Sequence, residues 1–245
     1  MILIEPPKQF GRLRPTYNRM GFGGGVLDPL SQAFAAFAGS CEQPVLEIGA
    51  GFGIATLEAL AKGATIVAND LDERHLAHIR ADCPQATLDR LTTIAGAFPD
   101  DMHFDDQQFM GILSARVLHF FDGPQLEKAF KECFRILMPG GKLFLLFDTP
   151  YKRHWLSFLP EFEQKVAKKE RWPGYTDKLR DYEGDRVEHL PKCINFMNKE
   201  ILSDRLQEIG FVIEKAMYIP RPDYPETSQL DGRENVGVIA TIPNN

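Results

Sequence analysis

The stretch Val45 to Asp70, VLEIGAGFGIATLEALAKGATIVAND, decides the fold. VLEI is a short apolar run interrupted by one glutamate, and glycines follow at alternate positions, Gly49, Gly51 and Gly53. ATLEALAKG then carries apolar residues at helical spacing and closes on Gly63, and IVAND is a second apolar run. The order reads as strand, tight turn, helix, strand, the opening half of a nucleotide-binding βαβ unit.

The glycines are spaced G-x-G-x-G, whereas the dinucleotide fingerprint is G-x-G-x-x-G, and its third glycine falls where this chain has Ile54. The spacing argues against a nicotinamide dinucleotide. Glu47 interrupts a run otherwise apolar enough for burial on both faces, so a carboxylate there is expected to face a cation in the crevice at the strand end. Asp70 ends the second run about twenty residues on, placed either to accept from ribose hydroxyls or to cap the following helix.

Working outward, the same alternation continues. PLSQAFAAFAG before the stretch is helical in pattern, and DERHLAHIRADC, LTTIAGAF, FMGILSARVL, GPQLEKAFKECFRIL and GKLFLLFD after it alternate helix and strand signals. Such alternation predicts a parallel sheet covered on both faces. From Pro150 to Phe196 the pattern changes to an aromatic and charged segment without a clear strand, and NKEILSDRLQEIGFVIEKAMYI then restores a helix, capped by Asn198, and a strand before a last strand, VGVIATI. Residues 1–40 are expected as an N-terminal arm and helix, and residues 41–245 as one domain with residues 150–197 inserted.

The chain has 245 residues and a formal net charge of −6, which speaks against a surface built to neutralise nucleic-acid phosphates. Its four cysteines form no CxxC pair, and the start, MILIEPPKQFGRLRP, lacks the charged-then-apolar pattern of a signal peptide. No apolar run reaches the ~18 residues of a membrane helix. A soluble cytoplasmic protein with reduced thiols, no nucleic-acid partner and no membrane contact is the expectation; oligomeric state is not legible. His75 and His78 lie three apart on one helix face with no carboxylate or cysteine completing a metal set, so no metal is expected and both read as exposed.

VLEIGAGFG, IVANDLD, AGAFP, ILSARVLHFF and FRILMPGGKLFLLF occur in the order and spacing of class I S-adenosylmethionine-dependent methyltransferases, and the chain resembles the branch that often acts on small molecules. The resemblance covers residues 40–150 and resumes in FMNKEILSDRLQEIGFVIEKAMY. It implies a Rossmann-like α/β fold with a seven-stranded, mostly parallel sheet, helices on both faces and a helical, aromatic lid inserted after the fifth strand. It implies S-adenosyl-L-methionine as cofactor, S-adenosyl-L-homocysteine as product, and transfer of the methyl group by in-line displacement to a small-molecule acceptor. Alternatives are a protein methyltransferase and an inactive scaffold of the same fold.

Carried over by residue, Glu47, Gly49 and Gly51 would contact the methionine half of the cofactor, with Gly53 structural; Asp70 would bind the ribose and Leu71 pack on the adenine. In AGAFP this chain has Gly96 where the family usually places an Asp for the adenine amino group; the resemblance keeps the Ala97 backbone contact, and Asp100 or Asp101 is an alternative source of the carboxylate. Ser114 and Ala115 would line the methionine half. His119 is the candidate base on the core, against the reading of a packed histidine, and Tyr17 is a second catalytic candidate from the arm. Asp148 reads as substrate contact or cap. GFGGGV, Gly21 to Val26, is expected as a hinge of the arm, the alternative being a turn against the cofactor. The aromatics of the insertion, among them Tyr151, Trp155, Phe158, Phe162 and Tyr182, are expected in a lid, against the reading that they pack.

Overall fold

A computed structural model of the chain describes residues 13–244. The reading of the first twelve residues as no signal peptide therefore lies outside the described residues. The elements run β1 (Leu13–Pro15), β2 (Phe22–Gly24), α1 (Pro29–Ala38), β3 (Val45–Ile48), α2 (Ile54–Ala61), β4 (Ile66–Asp70), α3 (Glu73–Asp82), β5 (Leu91–Ala95), β6 (Phe109–Ala115), α4 (Gly123–Ile136) and β7 (Leu137–Asp148). They continue with α5 (Leu159–Ala167), β8 (Gly174–Thr176), α6 (Arg180–Glu183), β9 (Ile194–Phe196), α7 (Lys199–Ile209), β10 (Val212–Ile219) and β11 (Asn235–Thr241).

Seven strands form the main sheet in the order β10-β11-β7-β6-β3-β4-β5. β3 pairs in parallel with β4 on one side and β6 on the other, and β11 alone runs antiparallel to both neighbours. This is the α/β, mostly parallel sheet that the alternation and the resemblance predict. β3 and β4 are buried along their whole length because helices cover both faces.

Strand periodicity sorts the core into two layers. Leu46, Ile48 and Ile112 face α4 and α7, whereas Val45 and Leu113 face α1 and α2 with Leu30, Phe34 and Leu60. The same period puts Glu47 on the α1–α2 side, where Thr56 of α2 meets it. Local chemistry ends the helices: Asp28 caps α1 through the Leu30 and Ser31 amides, Asp122 and Gln125 form a capping box on α4, and Asn198 caps α7 as its sequence predicts. Asp72, not Asp70, caps α3, which leaves Asp70 to other partners.

Two expectations are corrected. The insertion contains a two-stranded antiparallel sheet, β8 with β9. Its aromatics are mostly its own core: Trp155, Phe158, Phe162 and Phe196 are essentially inaccessible and pack with Tyr151, Leu179 and Ile194. The GFGGGV run is not a free hinge: Phe22–Gly24 pairs with Leu13–Pro15, and a Cβ on Gly23 would lie 2.6 Å from the Phe52 ring. A side chain there would push the arm off the glycine turn. Among the described residues no helix is long and apolar enough to cross a membrane.

Candidate functional site

A cavity of about 230 Å³ opens at the carboxyl ends of β3, β4, β5 and β6, where ligands bind in open α/β sheets. Its floor is the turn Gly49–Phe52, its walls include Glu47, Asp70, Leu71, Gly96 and Ala97, and the β1–β2 arm contributes Thr16, Gly21 and Phe22. Leu71 is 51% exposed and Ile54 37% exposed although both are apolar and both line it.

The three glycines of the turn have positive φ and different reasons for it. A Cβ on Gly49 would stand 2.4 Å from Val117, and one on Gly53 2.5 Å from Ile79, so these two allow close packing of β6's loop and of α3. A Cβ on Gly51 would meet no protein atom within 4 Å. Gly51 lines the cavity, so what its missing side chain leaves open is the crevice itself.

Asp70 is held by three donors. Its Oδ2 accepts from the Gly51 amide at 2.8 Å, and its Oδ1 accepts from the Asp72 amide and from His75 Nδ1, both at 2.9 Å. His75 is 1% exposed, and its Nε2 accepts from the Tyr17 amide at 3.0 Å. A neutral imidazole that donates at Nδ1 and accepts at Nε2 satisfies both bonds. The expectation that His75 is an exposed helix residue is therefore wrong: the period of α3 turns it inward, where it joins Asp70 to the arm. His78, three residues on, is part-exposed and pairs with Asp82.

Glu47 is buried, and Thr56 Oγ1 donates to its Oε2. Burial pushes its carboxyl up to about 7, against the lowering by Thr56, so near neutrality the group is shared between charged and protonated forms. A cation brought beside it would favour the charged form.

At the end of β5 the missing family carboxylate has a local cause. A Cβ on Gly96, which has φ +145°, would fall 2.6 Å from Met102 and 2.9 Å from the Asp101 Cβ. The Ala97 amide donates to Asp101 Oδ2 at 2.9 Å. Asp101 thus folds back over the place a side chain at 96 would occupy, whereas Asp100 pairs with Lys128 at the surface. Asn69, buried and absent from the sequence-level candidates, donates to the Ile94 and Gly96 carbonyls and fixes this loop.

The remaining candidates lie outside the main cavity. Ser114 is fully buried, with a hydroxyl unpartnered among the described residues; Ala115 lines the cavity as expected, and Arg116 beside it does so as well. Tyr17 packs edge-on against Phe52 and at a tilt against His75, with the Arg14 and Arg74 guanidinium groups beside its ring, and reaches the site through its backbone amide. His119 lines a second, smaller pocket, and its Nδ1 accepts from the Asp148 amide at 3.1 Å. Burial pushes its pKa down to about 4, so the ring is neutral at pH 7 with its proton on Nε2. In that form the free ring nitrogen is a donor, not a base. Burial pushes the Asp148 carboxyl up, but its positive neighbours, Lys152 foremost and Arg116 among them, together hold it well below the carboxylate range, and it also accepts from Asn235 Nδ2 at 2.6 Å.

Residues 45–141 match the family model described as a methyltransferase domain. An uncharacterized methyltransferase of Synechocystis sp. is 30% identical over 118 residues, 48% of this chain and 52% of that protein. A demethylmenaquinone methyltransferase of Tropheryma whipplei is 27% identical over 213 residues, 79% of this chain and 84% of that one. The chain spans about half the length of the first curated relatives it matches. Among solved structures, the 1,6-didemethyltoxoflavin-N1-methyltransferase of Burkholderia thailandensis, with bound 1,6-didemethyltoxoflavin and S-adenosylhomocysteine, superposes with TM-score 0.59 at 16% identity, covering 88% of this chain and 79% of that one. The fold is thus that of the solved S-adenosylmethionine-dependent methyltransferases on which the chain superposes. Within it Glu47, Gly49, Gly51, Asp70 and Leu71 fall on one cavity, and the sequence-level candidates missed His75, Asn69 and Arg116.

Proposed function

We propose that the protein is a methyltransferase that uses S-adenosylmethionine as donor and a small molecule as acceptor. The observation that carries this reading is the cavity at the strand ends, whose lining brings together two carboxylates, Glu47 and Asp70, and a glycine, Gly51, whose side-chain direction is open. The residues fit the cofactor. Glu47, charged when a cation is beside it, suits the α-amino group, Asp70 suits ribose hydroxyls, and exposed Leu71 and Ile54 suit an adenine face. When bound, the cofactor supplies an electrophilic methyl group on a positively charged sulfur.

What this chain contributes is position and exclusion of water. Asp70 is fixed by Gly51, Asp72 and His75, so a hydroxyl bound to it meets an acceptor already oriented. The arm closes one side through Tyr17 and through the Gly21 amide, which donates to the His189 carbonyl of the insertion at 2.8 Å. Holding reactants aligned is worth ~7–11 kcal/mol at its well-aligned limit, which is most of what a displacement on an activated methyl asks of a protein. The small size of the acceptor is supported by the names of the menaquinone and toxoflavin enzymes and by the acidic balance of this chain.

Residues 150–197 and the arm form the cover, through Lys152, His154, Glu183 and Leu190 at the smaller pocket and Pro191 at the larger. The reading is tested by incubating the protein with S-adenosylmethionine and a panel of small aromatic and quinol acceptors and assaying S-adenosylhomocysteine. Turnover with at least one acceptor, abolished by Asp70→Asn, is expected. Turnover confined to protein substrates would replace the small-molecule reading.

A further inference from the structure

Arg116 stands at the junction of the two cavities and lines both, together with Phe22 and Phe120. It is the one Lys or Arg among the described residues lining the larger cavity, whose other charged walls are the carboxylates of Asp28, Glu47 and Asp70. Its backbone has φ +61°, a left-handed conformation that a non-glycine residue adopts only at a cost. Its amide holds that shape by donating to the Leu146 carbonyl at 2.8 Å. Such outliers persist where the surroundings over-determine them, and they cluster at active sites, ligand clamps and switch regions.

The guanidinium is under-used. One terminal nitrogen donates to the Tyr224 hydroxyl at 3.2 Å, while Nε is buried without a partner and no carboxylate pairs with it among the described residues. The acids around it are engaged elsewhere: Asp148 with Lys152, Asp223 with Arg221, and Glu183 of the smaller pocket with His154 and Trp155. The nearby His119 lines the same small pocket, and with Nδ1 occupied it too can only donate. This corner therefore offers hydrogen-bond donors and a positive charge between two aromatic side chains.

Resting on the reading of a methyl-transfer site, we infer that Arg116 is the specificity-determining residue of the acceptor, receiving an anionic oxygen group on a ring-bearing molecule whose apolar frame lies against Phe22 and Phe120. The carboxylates of the larger cavity are held by donors of their own and none pairs with the guanidinium among the described residues, which leaves that group to be met by a ligand. An ionised acceptor meets that need and a neutral one does not. Charge-assisted bonds to a guanidinium are also the stronger class of hydrogen bond.

The test is titration calorimetry with benzoate and its neutral isostere benzamide, on the wild-type protein and on Arg116→Gln and Arg116→Lys, each with and without saturating S-adenosylhomocysteine. Thermal unfolding checks that both variants are folded. Benzoate is expected to bind the wild type more tightly than benzamide, to lose about tenfold or more in affinity in Arg116→Gln, and to recover part of it in Arg116→Lys, with benzamide indifferent to either change. Equal binding of the two probes, benzoate affinity unchanged in Arg116→Gln, or no benzoate binding to the wild type would overturn the inference. If S-adenosylhomocysteine does not bind but benzoate still depends on Arg116, the methyl-transfer reading fails and the anion site stands; the opposite pattern separates them the other way.

Discussion

At the residue scale the site rests on two carboxylates held in different ways. Asp70 accepts from three protein donors, so it is preorganised, but it also stabilises the glycine turn, and an alanine there would strand the Gly51 and Asp72 amides. Glu47 has one strong donor and a carboxyl pushed up to about 7 by burial. If its charged form receives the cofactor's ammonium group, S-adenosylmethionine affinity should rise about tenfold between pH 6 and 8 and be flat in Glu47→Gln, as calorimetry across that range would register. A parallel rise in the variant would assign the titration elsewhere. His75 belongs to the same scale. Replacing it with Phe removes the bond from the Tyr17 amide, and amide exchange at Tyr17 should quicken while the strands of the main sheet stay protected. Protection at Tyr17 unchanged in His75→Phe would show that the arm is held by Arg74 and its own sheet alone.

At the scale of elements, the insertion has its own small core. Trp155 is fully buried, stacks on Tyr182 with ring centroids 4.3 Å apart and packs on Phe196. Trp155→Ala should cost about 3–5 kcal/mol locally and expose residues 150–197 to limited proteolysis while the fragment bearing residues 45–141 survives. Simultaneous loss of both would mean the insertion and the sheet unfold as one unit. The main sheet and its helices were legible because VLEI, IVAND and GKLFLLFD are dense apolar runs bounded by glycines and helical periods. β1, β2, β8 and β9 were not, since three residues carry no measurable period. His75 was misread because residues 75 and 78 share a face by spacing, yet only the first lies beneath the arm. Arg116 offered no motif: its place depends on a left-handed residue at the end of β6 that composition does not announce. Glu47 and Asp70 were found because an acid at the end of an apolar strand is out of pattern.

For the whole molecule, buried titratable groups pull stability in opposite directions. Glu47 is raised from 4.5 to about 7, so the folded chain holds that proton more tightly; its contribution is full below pH 4.5 and is lost as pH rises through about 7. His119 is lowered from 6.5 to about 4, so its unfolded form binds the proton better, and stability from it falls as pH drops from about 6.5 to 4. Asp148 keeps its contribution until strong acid. Between pH 4.5 and 6.5 the Glu47 and His119 effects oppose each other. Denaturant unfolding of Glu47→Gln should therefore show stability climbing with pH across that window more steeply than in the wild type; superimposable pH profiles would mean Glu47 is not held in the protonated form by burial.

The central claim is that the crevice over the glycine turn takes S-adenosylmethionine, and Gly51 isolates it. Gly51→Ala adds a methyl group that meets no protein atom, at a backbone cost of about 1–2 kcal/mol, whereas Gly53→Ala drives one into Ile79. The measurement to make is calorimetric titration of wild type and Gly51→Ala with S-adenosylmethionine, S-adenosylhomocysteine and NADH, with unfolding midpoints for both and for Gly53→Ala. Binding of the first two ligands to the wild type and not NADH, lost in a folded Gly51→Ala while Gly53→Ala loses stability instead, is the result expected. Absence of binding to the wild type, or undiminished affinity in Gly51→Ala, would contradict it.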